Sequence, residues 1–543
     1  MYRIQNALLL VLLFTFPLVF ASAQAGQEYV WSKTLFTGLV LCGLFATFIL
    51  PQNGGPGRYE RLTVSLVVLL ISAVLSAAFA VNRFKSLEVI ALWIVGLALY
   101  RAVLTSRMAV GTQLWALFAA AAVVSLYGLL QWSEMAALPR TQYGEADPAS
   151  TLGLANFASE FLLPLIPLLA LTAARRRGLE RLLSGVVLAL ALGYIAVGQT
   201  RAAFVGLAAA GLVTVPLLWK QIARSAVPGA LAALAPLLFI AAMKIGATSP
   251  SIPDVAAQPS AAKLSGSSSG VVALVSNTAE SRTPGWMDDP SVVARIESWK
   301  AALEIFRRFP LLGAGPGNFE IQAPRFASTR LQTLLLESNT KMTAPHNEFL
   351  QFLCEQGLVG TAALGLVLVS TALALRRLAP GPERVAWTAA AVALLTASSF
   401  AFPFHLPGSV FCTLALSALL VRSSRHDESV PSQRPVRQRV VAAVWLVLLA
   451  GSTWFSSRVL LSTLRYYQGV QQINERRWEE GAAALSDSAR LYPGQDAAFY
   501  NQAYIYYHLN RKEEGLRAIE FSLRRTPYLE RALDLRQQLQ LLP

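Results

Sequence analysis

Residues 345 to 360 read PHNEFLQFLCEQGLVG and contain one of only four histidines in a chain of 543 residues. His346 is followed by Asn347 and Glu348, with Gln351 and Glu355 one and two turns further on, so polar groups line one edge of a helix start. The same helix turns apolar from Leu358 onward, which puts its polar edge at a membrane surface. A histidine in that position could accept a proton from a hydroxyl near neutral pH. Two arginines could serve it: Arg201 ends the short turn Gly198-Gln199-Thr200-Arg201 between two apolar runs, and Arg295 lies on an amphipathic segment. A guanidinium is permanently charged and presents a planar fork of donors to phosphate oxygens, so two of them converging on one pocket would hold a pyrophosphate. The plainer alternatives are a satisfied histidine in a capped turn, an Arg201 that snorkels to lipid headgroups and an Arg295 on a solvated helix face.

These residues need a membrane scaffold to hold them. Hydrophobic residues make up 54% of the chain and charged residues 14%, and the mean hydropathy is +0.47, which excludes an ordinary soluble enzyme. Thirteen apolar runs long enough to span recur between residues 4 and 457. The fold class expected is therefore all-α, a polytopic transmembrane helical bundle of about 12–13 spans. The first run also resembles a signal peptide, with Arg3 ahead of it and small residues at Ala21 to Ala25. With the N-terminus inside, alternate connections hold 19 Lys and Arg on the inner side and 5 in the short outer connections (Lys33, Arg83, Lys85, Arg140 and Arg201). The formal charge of +15 is thus mostly topological, and no nucleic-acid partner is expected. Cys42, Cys354 and Cys412 lie in apolar runs without metal-ligand spacing, so neither a disulfide frame nor a metal site is expected.

This orientation divides the chain into N-terminal spans (1–246), a large outer loop (247–345), C-terminal spans (346–461) and a soluble C-terminal domain (462–543). The outer loop begins with a Ser/Pro/Ala/Gly-rich stretch, 248–285, that reads as mobile. In SVVARIESWKAALEIFRRFP the residues Val292, Ile296, Trp299, Leu303 and Phe306 recur at helical spacing, which predicts an amphipathic helix on the membrane surface. The following GAGPG resembles a phosphate loop only superficially, because no strand precedes it and no Gly-Lys-Ser/Thr follows, and it reads as structural. In the last domain Gly469, Gly481, Ser488 and Pro493 return as Ala503, Gly515, Ser522 and Pro527, each 34 residues on. That is the period of tetratricopeptide hairpins, and two repeats with a final helix should lean on the membrane domain for stability.

The ordered set GQTRAAFVGL (198 to 207), RIESWKAALEIFRRFPLLGAGPGNF (295 to 319) and PHNEFLQFLCEQGLVG (345 to 360) resembles the O-antigen ligase and polymerase superfamily of bacterial membrane proteins. TLGLANFASEFLLPL (151 to 165) is similar to an earlier span of that family, and AFPFHLPGSVF (401 to 411) to its late outer turn. The resemblance covers most of residues 60 to 422. It implies a metal-independent glycosyltransferase of the bacterial inner membrane, without a cofactor, whose site and C-terminal domain are periplasmic. Such an enzyme moves a glycan from an undecaprenyl-pyrophosphate carrier to a lipid, glycan or protein acceptor. His346 would be the general base and Arg201 and Arg295 the pyrophosphate clamp. Asn347, Glu355 and His405 would complete the substrate-binding set, Asn347 and Glu355 by orienting the ring or helix and His405 as the alternative base. Ligase, polymerase and protein O-oligosaccharyltransferase remain alternatives within the family. A lipid-linked sugar transporter and a scaffold recruiting a protein partner through the repeats are the readings from other classes.

The charge asymmetry and the odd number of runs predict that a tag placed after Arg425 is cytoplasmic and one placed after Pro543 periplasmic. Protease accessibility in spheroplasts checks this, and a protected C-terminus would mean that one span is misassigned.

Overall fold

The computed structural model describes residues 2–20, 28–49, 61–133, 148–222, 290–328, 342–424 and 435–543. The expected span near 226–246 and the stretch 248–285 lie outside the described residues. Within them the secondary structure is helical, with no strand. Up to the long outer loop the helices are α1 (Tyr2–Thr15), α2 (Glu28–Ile49), α3 (Arg61–Ala77), α4 (Arg83–Thr105), α5 (Val110–Trp132), α6 (Ala155–Leu162), α7 (Ile166–Arg175), α8 (Gly178–Val197) and α9 (Arg201–Ile222). The loop contributes α10 (Pro290–Arg308) and α11 (Phe319–Phe326), and then follow α12 (Glu348–Arg377), α13 (Pro382–Ser398), α14 (Pro407–Ser423) and α15 (Pro435–Asn474). Four short helices close the chain: α16 (Trp478–Leu491), α17 (Asp496–His508), α18 (Lys512–Leu523) and α19 (Glu530–Gln540).

The chain is a multi-pass membrane protein. Among the described residues, six helical stretches (α4, α5, α6–α7, α8, α12 and α15) are long and apolar enough to cross a bilayer, and further apolar helical segments accompany them. Helices suit this setting because every interior N–H and C=O is satisfied within its own segment. The first run is a core element of the bundle: Leu12, Leu13 and Phe16 are fully buried, and the Phe16 ring meets Phe161 and Phe411 edge-on. Small and hydroxyl residues bring neighbouring helices close, as in membrane bundles generally. A serine seam joins α3 to α12, with Ser65 Oγ 2.7 Å from Ser370 Oγ, Ser72 Oγ donating to Gln356 at 3.3 Å and Ser76 Oγ to the Glu355 carbonyl at 2.8 Å. Ala202, Ala389, Ala393, Ala397 and Ala401 form one packed cluster between α9 and α13.

The 34-residue period is visible in the backbone of the C-terminal domain. Arg477 N–H donates to the Gln472 carbonyl at 2.8 Å, as Arg511 N–H does to Tyr506. Ser488 Oγ donates to the Ser462 carbonyl and Ser522 Oγ to that of Asp496, and positive φ recurs at Arg476 and Asn510. The first hairpin is the end of α15 with α16, so the membrane helix runs without a break into the domain. The domain leans on the bundle through Tyr492, which donates to Glu88 at 2.6 Å and packs edge-on against Phe84 and Phe455, and through Tyr528, which accepts from Arg325 at 3.2 Å.

The amphipathic helix forms as α10, but its buried stripe differs from the expected one. Val293, Ser298, Ala301, Ala302 and Ile305 face inward, whereas Ile296 and Leu303 are 38% and 39% exposed. The reason is packing on α12: small residues at 298, 301 and 302 let the two backbones approach, and the bulky stripe is turned aside.

Helix α12 is broken at Gly357, whose φ of 62° and ψ of −159° are accessible only to glycine. The break frees backbone groups, and the turn after α10 takes them up. Leu358 N–H donates to the Pro310 carbonyl at 2.9 Å and Val359 N–H to that of Leu311 at 3.1 Å, while Ala314 and Gly315 N–H donate to the Cys354 and Glu355 carbonyls. A Cβ at Gly357 would sit 2.5 Å from the Leu311 backbone. Gly357→Ala should therefore destabilise the fold by roughly 1–3 kcal/mol or more, read as a lower melting temperature in nanodiscs; an unchanged melting temperature would mean that the break is not imposed by the turn.

Candidate active site

The start of α12 sets His346 at its end, half-buried. Asn347 is the N-cap, its Oδ1 accepting from Leu350 N–H at 3.1 Å, and His346 just before it takes a left-handed conformation with φ 52°. The preceding Pro345 carbonyl accepts from the Trp299 indole at 2.9 Å. Trp299 lies four residues after Arg295 on α10, hence on the same helix face, and this bond holds the Arg295 face against His346. The ring of His346 packs edge-on to Phe402 at 5.2 Å, and Phe402 packs in turn on Phe157 of α6. Burial, and then the charge of Arg295, push the His346 imidazole down to about 4. It is accordingly neutral at physiological pH, with a lone pair available.

Arg201 is exposed as the first residue of α9. The turn before it is held by Gln199 in a left-handed conformation and by Thr200, whose hydroxyl lies 3.0 Å from that of Ser159. Ala202 belongs to the same packed cluster as Ala401, the residue preceding Phe402. Arg201 thus stands at the same end of the bundle as His346 and Arg295, at the positive end of a helix.

Beneath this surface lies a buried polar layer. Glu355 spends both carboxylate oxygens on the Gly-rich turn, accepting from Gly317 N–H at 2.9 Å and from Phe319 N–H at 3.0 Å. Asn318 in the same turn bonds Asn82 and Ser86 at the start of α4. GAGPG is therefore a strap between α4 and α12. Glu348 accepts from Phe404 N–H at 3.2 Å, and Phe404 is also fixed by the Trp93 indole, which donates to its carbonyl at 3.1 Å. His405 lies among these groups, with Nδ1 3.0 Å from Glu348 and Nε2 3.6 Å from Glu355 and 3.3 Å from the Gln351 amide. Burial alone would lower the His405 imidazole; Glu348 above all, and Glu355 after it, reverse this and raise it to about 10. Glu160 of α6 is buried beside this layer, within reach of Ser409 and of the Glu348 charge.

Of the residues singled out by sequence, Arg295 and His346 are thus brought together, and Arg201 is set at the same end. Asn347 acts as a cap and Glu355 as an anchor for the strap. His405, the alternative base, lies between the carboxylates of Glu348 and Glu355, which raise its imidazole to about 10. Sequence reasoning passed over Glu160, Trp93, Asn318 and the pairing of Glu348. Glu160 carried a signal, as an acid within an apolar run; Asn318 and Trp93 carried none. Among the described residues no group of three or more His, Cys, Asp or Glu side chains is arranged to hold a metal ion.

Residues 186–365 match the model of the family described as O-antigen ligase. This stretch is similar to the O-antigen ligase family, in agreement with the resemblance read from the motifs. The matched stretch contains Arg201, Arg295, His346, Glu348 and Glu355, and ends before His405 and the C-terminal hairpins. No curated protein matches the chain. The superfamily comprises membrane ligases and polymerases of glycosyltransferase type, which agrees with a site at one end of a helical bundle.

The raised imidazole of His405 makes stability depend on pH. Its contribution is complete below the ordinary histidine value of about 6.5 and is lost as pH rises through about 10. The melting temperature of the wild type should exceed that of His405→Asn by a few degrees at pH 6, and the gap should close above pH 10. A gap independent of pH would mean that the ring is neutral in the fold.

Proposed function

We propose that this protein transfers a glycan from an undecaprenyl-pyrophosphate carrier to a hydroxyl acceptor at the periplasmic face of the inner membrane. The observation that carries this reading is the pairing of a neutral, half-buried His346 with Arg295 inside the matched O-antigen ligase domain. His346 accepts the acceptor's hydroxyl proton as that oxygen forms its bond to the anomeric carbon. The bond from the anomeric carbon to the carrier phosphate breaks, and undecaprenyl pyrophosphate leaves with the electron pair. Arg295 and Arg201 hold the pyrophosphate oxygens, whose charge grows as the bond breaks. The bilayer keeps the polyprenyl chain, and the donor's head group reaches the end of the bundle where the three residues stand.

An imidazole held near 4 is a weak base, and the substrate corrects this. Bound pyrophosphate offsets the Arg295 charge and removes one of the two causes of the depression, so His346 becomes more basic in the loaded enzyme. Ligase, polymerase and protein-transferring members share this chemistry and differ in the acceptor. The C-terminal hairpins, tetratricopeptide-like in period, pack at the same end of the bundle and offer a surface for the acceptor or for a partner protein.

The test uses purified protein with a synthetic polyprenyl-pyrophosphate glycan and, in turn, lipid A-core, glycan and peptide acceptors. His346→Ala should lose about a hundredfold to ten-thousandfold in turnover while still inserting and binding the donor. Arg201→Lys and Arg295→Lys should each lose on the order of a hundredfold, since a point charge does not replace a bidentate fork. Wild-type turnover in the alanine variant would remove His346 from the chemistry. In pH profiles, kcat/KM should decline only as pH falls toward about 4, and the acid limb of kcat should lie at higher pH. Coincident limbs would contradict the coupling between donor and base.

A further inference from the structure

We propose that His405 is a positioning residue: as an imidazolium held between the buried carboxylates of Glu348 and Glu355, it ties the outer turn to α12 and so fixes His346 for proton transfer. The inference rests on the reading of His346 as the base.

Both ring nitrogens of His405 face carboxylate oxygens, Glu348 at 3.0 Å and Glu355 at 3.6 Å. A neutral imidazole carries no charge to set against them, whereas the protonated ring pairs its charge with both carboxylates. Gln351 adapts to that state. Its Oε1 has no partner in the present rotamer, and rotation of the amide by half a turn presents this oxygen to the Nε2–H in place of the amide nitrogen. The two glutamates are essentially inaccessible, so a cation between them compensates charges that solvent does not reach.

Each partner of His405 leads to the reaction centre. Glu348 is two residues from His346 in the first turn of α12, and its other oxygen holds the Phe404 amide. Glu355 anchors the Gly-rich strap, which follows directly on α10 and therefore on Arg295. Phe402, three residues before His405, is the ring on which His346 packs. Loss of the cation would leave two buried carboxylates repelling one another and Glu160 beside them, and the outer turn would part from α12. Displacement of a base by about 1 Å costs up to a hundredfold in rate.

The test uses the full-length protein in liposomes. With a synthetic polyprenyl-pyrophosphate glycan and a lipid A-core acceptor, His405→Gln should lower kcat by about tenfold to a hundredfold and leave the donor KM within about twofold, because Arg201 and Arg295 remain. Glu348→Gln/His405→Gln removes both charges of the closer pair and should recover severalfold over the single variant. Labelling of His346 by diethyl pyrocarbonate, read by mass spectrometry without donor or acceptor, should accelerate severalfold in His405→Gln and return toward the wild-type rate in the double variant. Wild-type kcat and labelling in His405→Gln overturn the proposal, as do equal losses in the single and double variants with unchanged labelling. His346→Ala in the same liposomes judges the parent reading separately: wild-type turnover there discards His346 as base, while the labelling series still reports whether His405 fixes its ring. Should His405→Gln fail to insert, Glu348→Gln alone leaves the imidazolium half-paired yet keeps an acceptor for the Phe404 amide, and an unchanged labelling rate in that variant overturns the proposal.

Discussion

Backbone polar groups freed where a membrane helix breaks must find partners close by, since lipid offers none. In this protein the break at Gly357 in α12 is met by the turn 310–319, whose own amides and carbonyls close the gap from Pro310 to Phe319. The rest of the site hangs on that junction. It fixes where α10 ends, and so where Arg295 stands, and it draws Asn318 onto the start of α4. A turn that resembles a phosphate loop in composition thus spends its amide donors on Glu355, within the fold.

Electrostatics then divides the two histidines at this end of the bundle. His346 meets a guanidinium and a phenyl ring and stays neutral; His405 meets two carboxylates and stays charged. The same side chain serves as a candidate base in one place and as a buried cation in the other, and only the neighbours differ.

The C-terminal hairpins are joined to the same end. Helix α15 carries the chain from the bundle into the first hairpin without interruption, and Tyr492 and Tyr528 fasten the domain to α4 and α11. Lys85, which pairs with Glu320 at 3.0 Å and with Glu88 at 3.7 Å, lies in this seam and joins the strap region to the bundle. Tyr492 of the hairpins is buried in an aromatic contact with Phe84, Phe455 and Trp31.

Much was legible in the chain alone. Apolar runs and the asymmetry of Lys and Arg determine a polytopic helical protein, because bilayer thickness and backbone satisfaction leave few other options. The 34-residue recurrence determines the hairpins, since each position in a repeat meets the same neighbours as its counterpart. The motif order singled out Arg201, Arg295 and His346, whose residue types already limit what they can do. Tertiary structure alone decided which face of α10 is buried, because the period of a helix gives a stripe but not the size of the groove that receives it. It alone decided that Asn347 and Glu355 are spent on backbone amides and that His405 is charged. Protonation and pairing depend on groups far away in sequence: Glu348 and Glu355 reach His405 across about fifty residues, and no local pattern encodes that distance.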